Sequence, residues 1–86
     1  MKSDVLEAAV KGYNEKRSPE AAAAIVRLSG RSASVSFTGS FCHTCGVMDY
    51  FDDFVITAEE LGLNLRISDV REVSFEKYIA KFEEVG

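Results

Sequence analysis

The stretch RSASVSFTGSF, residues 31–41, alternates polar and apolar side chains along most of its length. Serine and threonine fill one set of positions, and the other set holds Ala33, Val35, Phe37 and Phe41. A period of two is typical of a β-strand that packs one face on a core and leaves the other face in water. A sheet built from such strands is covered on a single side, so this stretch predicts a two-layer domain.

The residues just before this stretch predict its partner strand. Residues 23–29, AAIVRLS, favour a strand with Val26 and Leu28 facing the core. The next residues, Gly30 and Arg31, leave room only for a short turn, so the two strands should form an antiparallel hairpin. The alanine run at 21–24 is also compatible with a helix, which leaves the start of this strand open.

Upstream of the hairpin, residues 4–16 predict a first helix. Val5, Ala9 and Tyr13 recur at helical spacing, and Ser3 or Asp4 is the expected N-cap. Proline is tolerated only in the first turn of a helix, so Pro19 separates this helix from the strand.

From residue 47 the apolar period changes to that of a helix, which ends at Gly62. Its apolar positions are Val47, Tyr50, Phe51, Phe54, Val55, Ala58 and Leu61. An acidic face consists of Asp49, Asp52, Asp53, Glu59 and Glu60. We expect this face to be solvated, with docking onto a basic partner as the alternative. Asp49 is also close enough in sequence to reach a metal bound before the helix.

Alternation returns in residues 64–68, NLRIS, which predict a third strand. Its inward side chains should be Leu63, Leu65 and Ile67, and a bulge at Asp69 would extend it through Val70 and Val73. A last helix is expected after Ser74 as its N-cap, with one apolar side made of Phe75, Ile79 and Phe82.

These elements predict a single α+β domain over residues 1–86, in the order α-β-β-α-β-α. The predicted sheet is three-stranded and mixed, with the helices on one face. Its second and third strands should be parallel neighbours joined by a right-handed crossover through the long helix.

Charge and hydropathy restrict the partners. A net charge of −4 and a pI near 4.9 argue against sequence-independent binding to nucleic acid and against binding to an anionic membrane. The first residues, MKSDVLE, lack an apolar targeting segment, and no apolar run approaches the roughly 20 residues that span a bilayer. We therefore expect a cytoplasmic protein with neither nucleic acid nor membrane as a partner.

The segment FTGSFCHTCG, residues 37–46, holds both cysteines and the only histidine of the chain. A reducing compartment seldom keeps structural disulfides, so the C-x-x-C pair Cys42 and Cys45 indicates metal binding or redox chemistry. With Gly39 ending a strand and Thr44 as a helix N-cap, the cysteines would lie where a helix dipole favours thiolate. His43 is a minor candidate as a metal ligand, an exposed turn histidine being the commoner case.

The run from Val35 to Cys45, V-S-F-T-G-S-F-C-H-T-C, resembles the C-terminal domain of NifU-type iron-sulfur scaffold proteins. In that family a helix and a β-hairpin lead into the pattern apolar-x-apolar-T-G-x-C-x-x-C, followed by a helix and a third strand. This chain has one extra residue before Cys42 and Gly46 where the family usually has proline, and its last predicted helix is additional.

The resemblance implies a scaffold or carrier, not an enzyme, that binds a labile iron-sulfur cluster through Cys42 and Cys45. One chain supplies two thiolates and a [4Fe-4S] cluster takes four, so the cluster would be shared across a homodimer and passed to apo-protein acceptors.

Two other classes of protein would also use Cys42 and Cys45. A thioredoxin-like dithiol oxidoreductase is the main enzymatic alternative. Its central strands would be apolar on both faces, however, and its proline would lie after the motif, whereas Pro19 precedes it. In the third class, zinc simply holds two chains together, with ligands from both chains or with His43 and a carboxylate from one.

Overall fold

A computed structural model describes residues 1–18, 20–39 and 47–85, the side chain of Val47 excepted. The fold is α+β, with two helices and a four-stranded antiparallel sheet in the described residues. In chain order the elements are α1 (Ser3–Arg17), β1 (Ala22–Ser29), β2 (Ser32–Thr38), α2 (Val47–Glu60), β3 (Leu65–Ser74) and β4 (Lys77–Glu84).

The strand order in the sheet is β1-β2-β4-β3, and each neighbouring pair is antiparallel. Strands β2 and β3 therefore run in the same direction, as the crossover through α2 requires, but β4 lies between them. The predicted three-stranded mixed sheet with a direct parallel pair is wrong, because β4 occupies the position beside β2.

Strand β4 is also the largest departure in secondary structure, since a last helix was predicted there. The apolar residues Tyr78, Ala80 and Phe82 alternate and face the core side, whereas Phe75 is 71% exposed in the turn before the strand. The same segment has apolar residues at helical spacing. It forms a strand because its backbone groups pair with β2 on one side and β3 on the other.

One face of the sheet packs against both helices to form the core. Its centre is Phe37, whose ring lies 5.0–5.7 Å from the rings of Tyr13, Phe51 and Phe54. The prediction that Ala33, Val35 and Phe37 face inward is confirmed, and Phe41 lies outside the described residues. The other buried apolar residues are Leu6, Ala9, Ala21, Ala23, Ala58, Leu63, Leu65, Ala80 and Phe82.

Strand β1 differs from its prediction at Val26. The register shifts between Ile25 and Arg27, so Val26 sits in a bulge and is 53% exposed instead of facing the core. Ile25 and Leu28 pack against the core in its place.

The remaining elements follow their predictions with local corrections. Helix α1 buries Leu6, Ala9 and Tyr13, but its N-cap position is Lys2, with no side-chain cap bond, and not Ser3 or Asp4. Strand β3 does extend beyond Ile67, and its first irregularity lies between Ile67 and Asp69. Neither helix in the described part of the chain has the length and apolarity needed to cross a membrane.

Candidate functional site

The predicted site falls on the connection between β2 and α2. Strand β2 ends at Thr38 and α2 begins at Val47, so the strand and the helix expected on either side of the C-x-x-C pair are both present. Cys42, His43 and Cys45 belong to residues 40–46, which lie outside the described residues, as does Thr44, the predicted N-cap. Their roles as ligands stay predictions.

Gly39, the last described residue before this connection, is held between two other segments. Its N–H donates a hydrogen bond of 3.2 Å to the carbonyl oxygen of Glu76, in the turn between β3 and β4. Its φ is +135°, and a Cβ at this position would lie 2.2 Å from the carbonyl oxygen of Glu20. Only glycine fits both the backbone conformation and the contact.

The start of α2 is held by the last residue of α1, Arg17, and by Glu20, just before β1. The Tyr50 hydroxyl hydrogen-bonds to the Glu20 carboxylate, and the Arg17 guanidinium lies 5.1 Å above the Tyr50 ring. Arg17 Nε donates to Asp53 Oδ2 at 2.8 Å, and this hydrogen bond raises the pKa of Arg17. The backbone of Glu20 also closely approaches Gly39, so both ends of the connection lie near the same residue.

Tyr13 lies beneath this cluster with its hydroxyl buried. No described residue accepts or donates a hydrogen bond to that hydroxyl, although the ring packs against Phe37 and Phe54. Burial raises the pKa of Tyr13 far above its usual 10.0, the Arg17 guanidinium opposes this, and the Asp53 carboxylate adds to it. Helical spacing predicted Tyr13 as a core residue, but nothing in the spacing indicated an unpartnered hydroxyl.

Tyr13→Phe is therefore expected to stabilise the protein by about 1 kcal/mol at neutral pH, since it removes a buried hydroxyl that has no hydrogen-bond partner among the described residues. Because the folded-state pKa of Tyr13 is raised, the hydroxyl ionises first in the unfolded chain above about pH 10, so the native protein should then lose stability relative to Tyr13→Phe. Urea unfolding of the native and variant chains at pH 7 and at alkaline pH measures both effects. Tyr50→Phe, which removes a hydroxyl that does have a partner, is the control. A loss of stability in Tyr13→Phe at pH 7 would contradict the account.

The acidic face of α2 is exposed at Asp49, Asp52, Glu59 and Glu60, as a solvated face requires. Asp53 departs from the prediction because it is half-buried against Arg17. Asp49 belongs to no group of three potential metal ligands among residues 1–18, 20–39 and 47–85, a range that excludes the cysteines and the histidine.

Comparison of the chain with protein family models, with curated proteins and with solved structures finds no match. The resemblance to the NifU-type domain therefore rests on the sequence pattern from Val35 to Cys45.

Proposed function

We propose that this chain binds an iron-sulfur cluster through Cys42 and Cys45 and serves as its scaffold or carrier. The observation that carries the proposal is the place of the two cysteines in the chain. They follow the end of β2 at Thr38 and precede the start of α2 at Val47. In the sequence, Cys45 is two positions before the first residue of α2 and Cys42 is five positions before it.

The chemistry of that position favours metal binding. The first N–H groups of a helix lack intrahelical partners and carry the positive end of the helix dipole. Helix α2 begins at Val47, two positions after Cys45 in the sequence. Such a field favours thiolate, which is the form of cysteine that ligates iron.

The surroundings of the connection hold its two ends in place. Gly39 is hydrogen-bonded to the Glu76 carbonyl oxygen, and α2 is held by the contacts of Tyr50 and Asp53 with Arg17 at the end of α1. Fixed ends restrict the conformations open to the chain between them, which lowers the entropy cost of holding two ligands on one metal.

The stoichiometry of ligands supports a shared and transferable cluster. The chain has two cysteines in all, and a [4Fe-4S] cluster ordinarily takes four thiolates. Two copies with their C-x-x-C connections facing each other complete the set. A cluster held by only two thiolates from each chain can be passed to an incoming apo-protein acceptor.

The test is anaerobic reconstitution with iron and sulfide, followed by the visible spectrum and an iron count. The native chain should show broad absorption near about 400 nm, as thiolate-bound clusters do. Cys42→Ser and Cys45→Ser should each lose most of the bound iron. His43→Ala, which alters the same segment without removing a thiol, is the matched control and should keep it.

Two outcomes would overturn the proposal. A colourless chain that holds zinc against a chelator would identify a zinc-bridged interaction module. A colourless chain without metal, whose two thiols cycle reversibly with a disulfide, would identify a dithiol redox protein.

A further inference from the structure

The face of the sheet opposite the helices, here called the open face, is basic. No described element covers it. The strand registers place small side chains on its β1 and β2 half, namely Ala22, Ala24, Ser32, Ser34, Ser36 and Thr38. Its basic residues are Arg27, Arg66, Arg71, Lys77 and Lys81, and its acidic residues are Asp69 and Glu83.

This charge is unexpected in a chain of net charge −4, since half of its ten lysines and arginines lie on one face. Arg66 is neutralised by Glu83, with 2.7 Å between Nη2 and Oε1. Arg27, Arg71, Lys77 and Lys81 form no salt bridge with any other described residue. Like charges gathered without partners repel one another, and a bound anion would relieve that repulsion.

Two of these cations converge on one serine. Arg27 pairs with Ser34 across β1 and β2, and Ser34 pairs with Lys81 across β2 and β4, so the three form one row. Neighbouring strands are about 4.8 Å apart, which places the Cα atoms of Arg27 and Lys81 about 10 Å from each other. Both side chains are long enough to reach an anion seated over the short Ser34 hydroxyl.

The surface is hollow at this row. Two depressions of about 320 and 300 Å³ adjoin there, and both are lined by Arg27, Ser34 and Lys81. The second also reaches apolar side chains and two further charges, at Val26, Ile79, Asp69 and Arg71. Volumes of this size match a small ligand that has one anionic group and an apolar body.

We propose that the open face binds a small organic phosphate. Its phosphate group lies over Ser34, which donates a hydrogen bond, and its charge is neutralised by Arg27 and Lys81. Arginine and lysine suit a phosphate because its oxygens accept several charge-assisted hydrogen bonds at once. The Asp69 carboxylate, opposite Lys81 on β3, repels anions and confines the phosphate to the β1 side of the row.

The apolar body of the ligand packs on Val26 and Ile79. This assigns a use to the bulge at Val26, which turns an apolar side chain out of the core and onto the rim of the hollow. A nucleic acid fits the same surface less well. It would need a longer row of cations for its backbone and aromatic side chains for stacking, and the strand residues of the open face include none.

The test is an NMR titration of the full chain with inorganic phosphate and with adenosine monophosphate, at constant ionic strength. Saturable shifts are expected at the amides of Arg27, Ser34 and Lys81. Arg27→Gln and Lys81→Gln should each weaken binding about 10- to 100-fold, the usual loss for a charge-assisted hydrogen bond. Arg66→Gln is the matched control, since it removes a cation of the same face that is already paired with Glu83.

Three results would overturn this proposal. Shifts that do not saturate, or that are equal in all variants, would show a general response to salt. Failure of both probes to shift the three amides would exclude the site. Tighter binding of a 20-base-pair DNA duplex than of either phosphate at these amides would identify a nucleic-acid interface. Cys42→Ser should leave the phosphate titration unchanged. The titration therefore tests this site separately from the proposed cluster binding.

Discussion

Phe37→Ala is expected to destabilise the protein by about 3–5 kcal/mol. Phe37 is fully buried at the centre of the core, and its ring contacts those of Tyr13, Phe51, Phe54 and Phe82 at centroid distances of 5.0–6.2 Å. Alanine leaves a cavity among aromatic rings from both helices and a neighbouring strand, which cannot all collapse into it. A domain of this size has roughly 5–15 kcal/mol of stability in total, so the variant should be close to unfolded at 37 °C.

Urea unfolding followed by circular dichroism measures this loss. Val26→Ala is the matched control, because it also shortens an apolar strand residue but one that is 53% exposed in a bulge. It should change the free energy of unfolding by less than about 0.5 kcal/mol. If Phe37→Ala costs less than about 1 kcal/mol, the packing of both helices on Phe37 is wrong.

Gly39→Ala is expected to be nearly as damaging, at about 3 kcal/mol or more. The backbone at Gly39 has φ +135°, which an L-residue adopts only with strain of about 1–3 kcal/mol. In addition, the new Cβ would lie 2.2 Å from the Glu20 carbonyl oxygen, so the backbone of one segment must move. Because Gly39 directly precedes the cysteine connection, the proposed cluster binding should weaken too, so the variant should bind less iron than the native chain.

Gly62→Ala separates strain from contact in the same unfolding assay. Gly62 also has a positive φ, +88°, but a Cβ there meets no atom within 4 Å. We expect Gly62→Ala to cost about 1–2 kcal/mol, from strain alone. Equal losses in the two variants would contradict the close approach of Gly39 to Glu20.

The sequence predicted correctly those elements whose apolar residues fit only one period, either that of a strand or that of a helix. The alternation around Val35 and the helical stripe that includes Phe51 and Phe54 specify β2 and α2, and both are confirmed. The segment KYIAKFEE, residues 77–84, has apolar residues at both periods, so its neighbours in the sheet decide its structure. The bulge at Val26 likewise depends on cross-strand pairing, which a single strand's sequence does not contain.

Some candidate sites could be predicted from the sequence, and others depend on contacts between distant parts of the chain. Residue type and spacing pointed to Cys42 and Cys45 without any structure. The Arg17–Asp53 pair and the buried Tyr13 hydroxyl arise from the approach of α1 to α2, a contact between distant parts of the chain. The basic open face could not be predicted from the net charge, which sums over all residues and does not say where they lie. An overall charge of −4 coexists with four cations on one side of the sheet that form no salt bridge with another described residue.

The most direct test of the proposed function is the native mass of the chain after anaerobic reconstitution with iron and sulfide. We predict a species of two chains that carries one [4Fe-4S] cluster and is absent in Cys42→Ser. A single chain free of iron in the native protein would contradict cluster binding by the C-x-x-C connection.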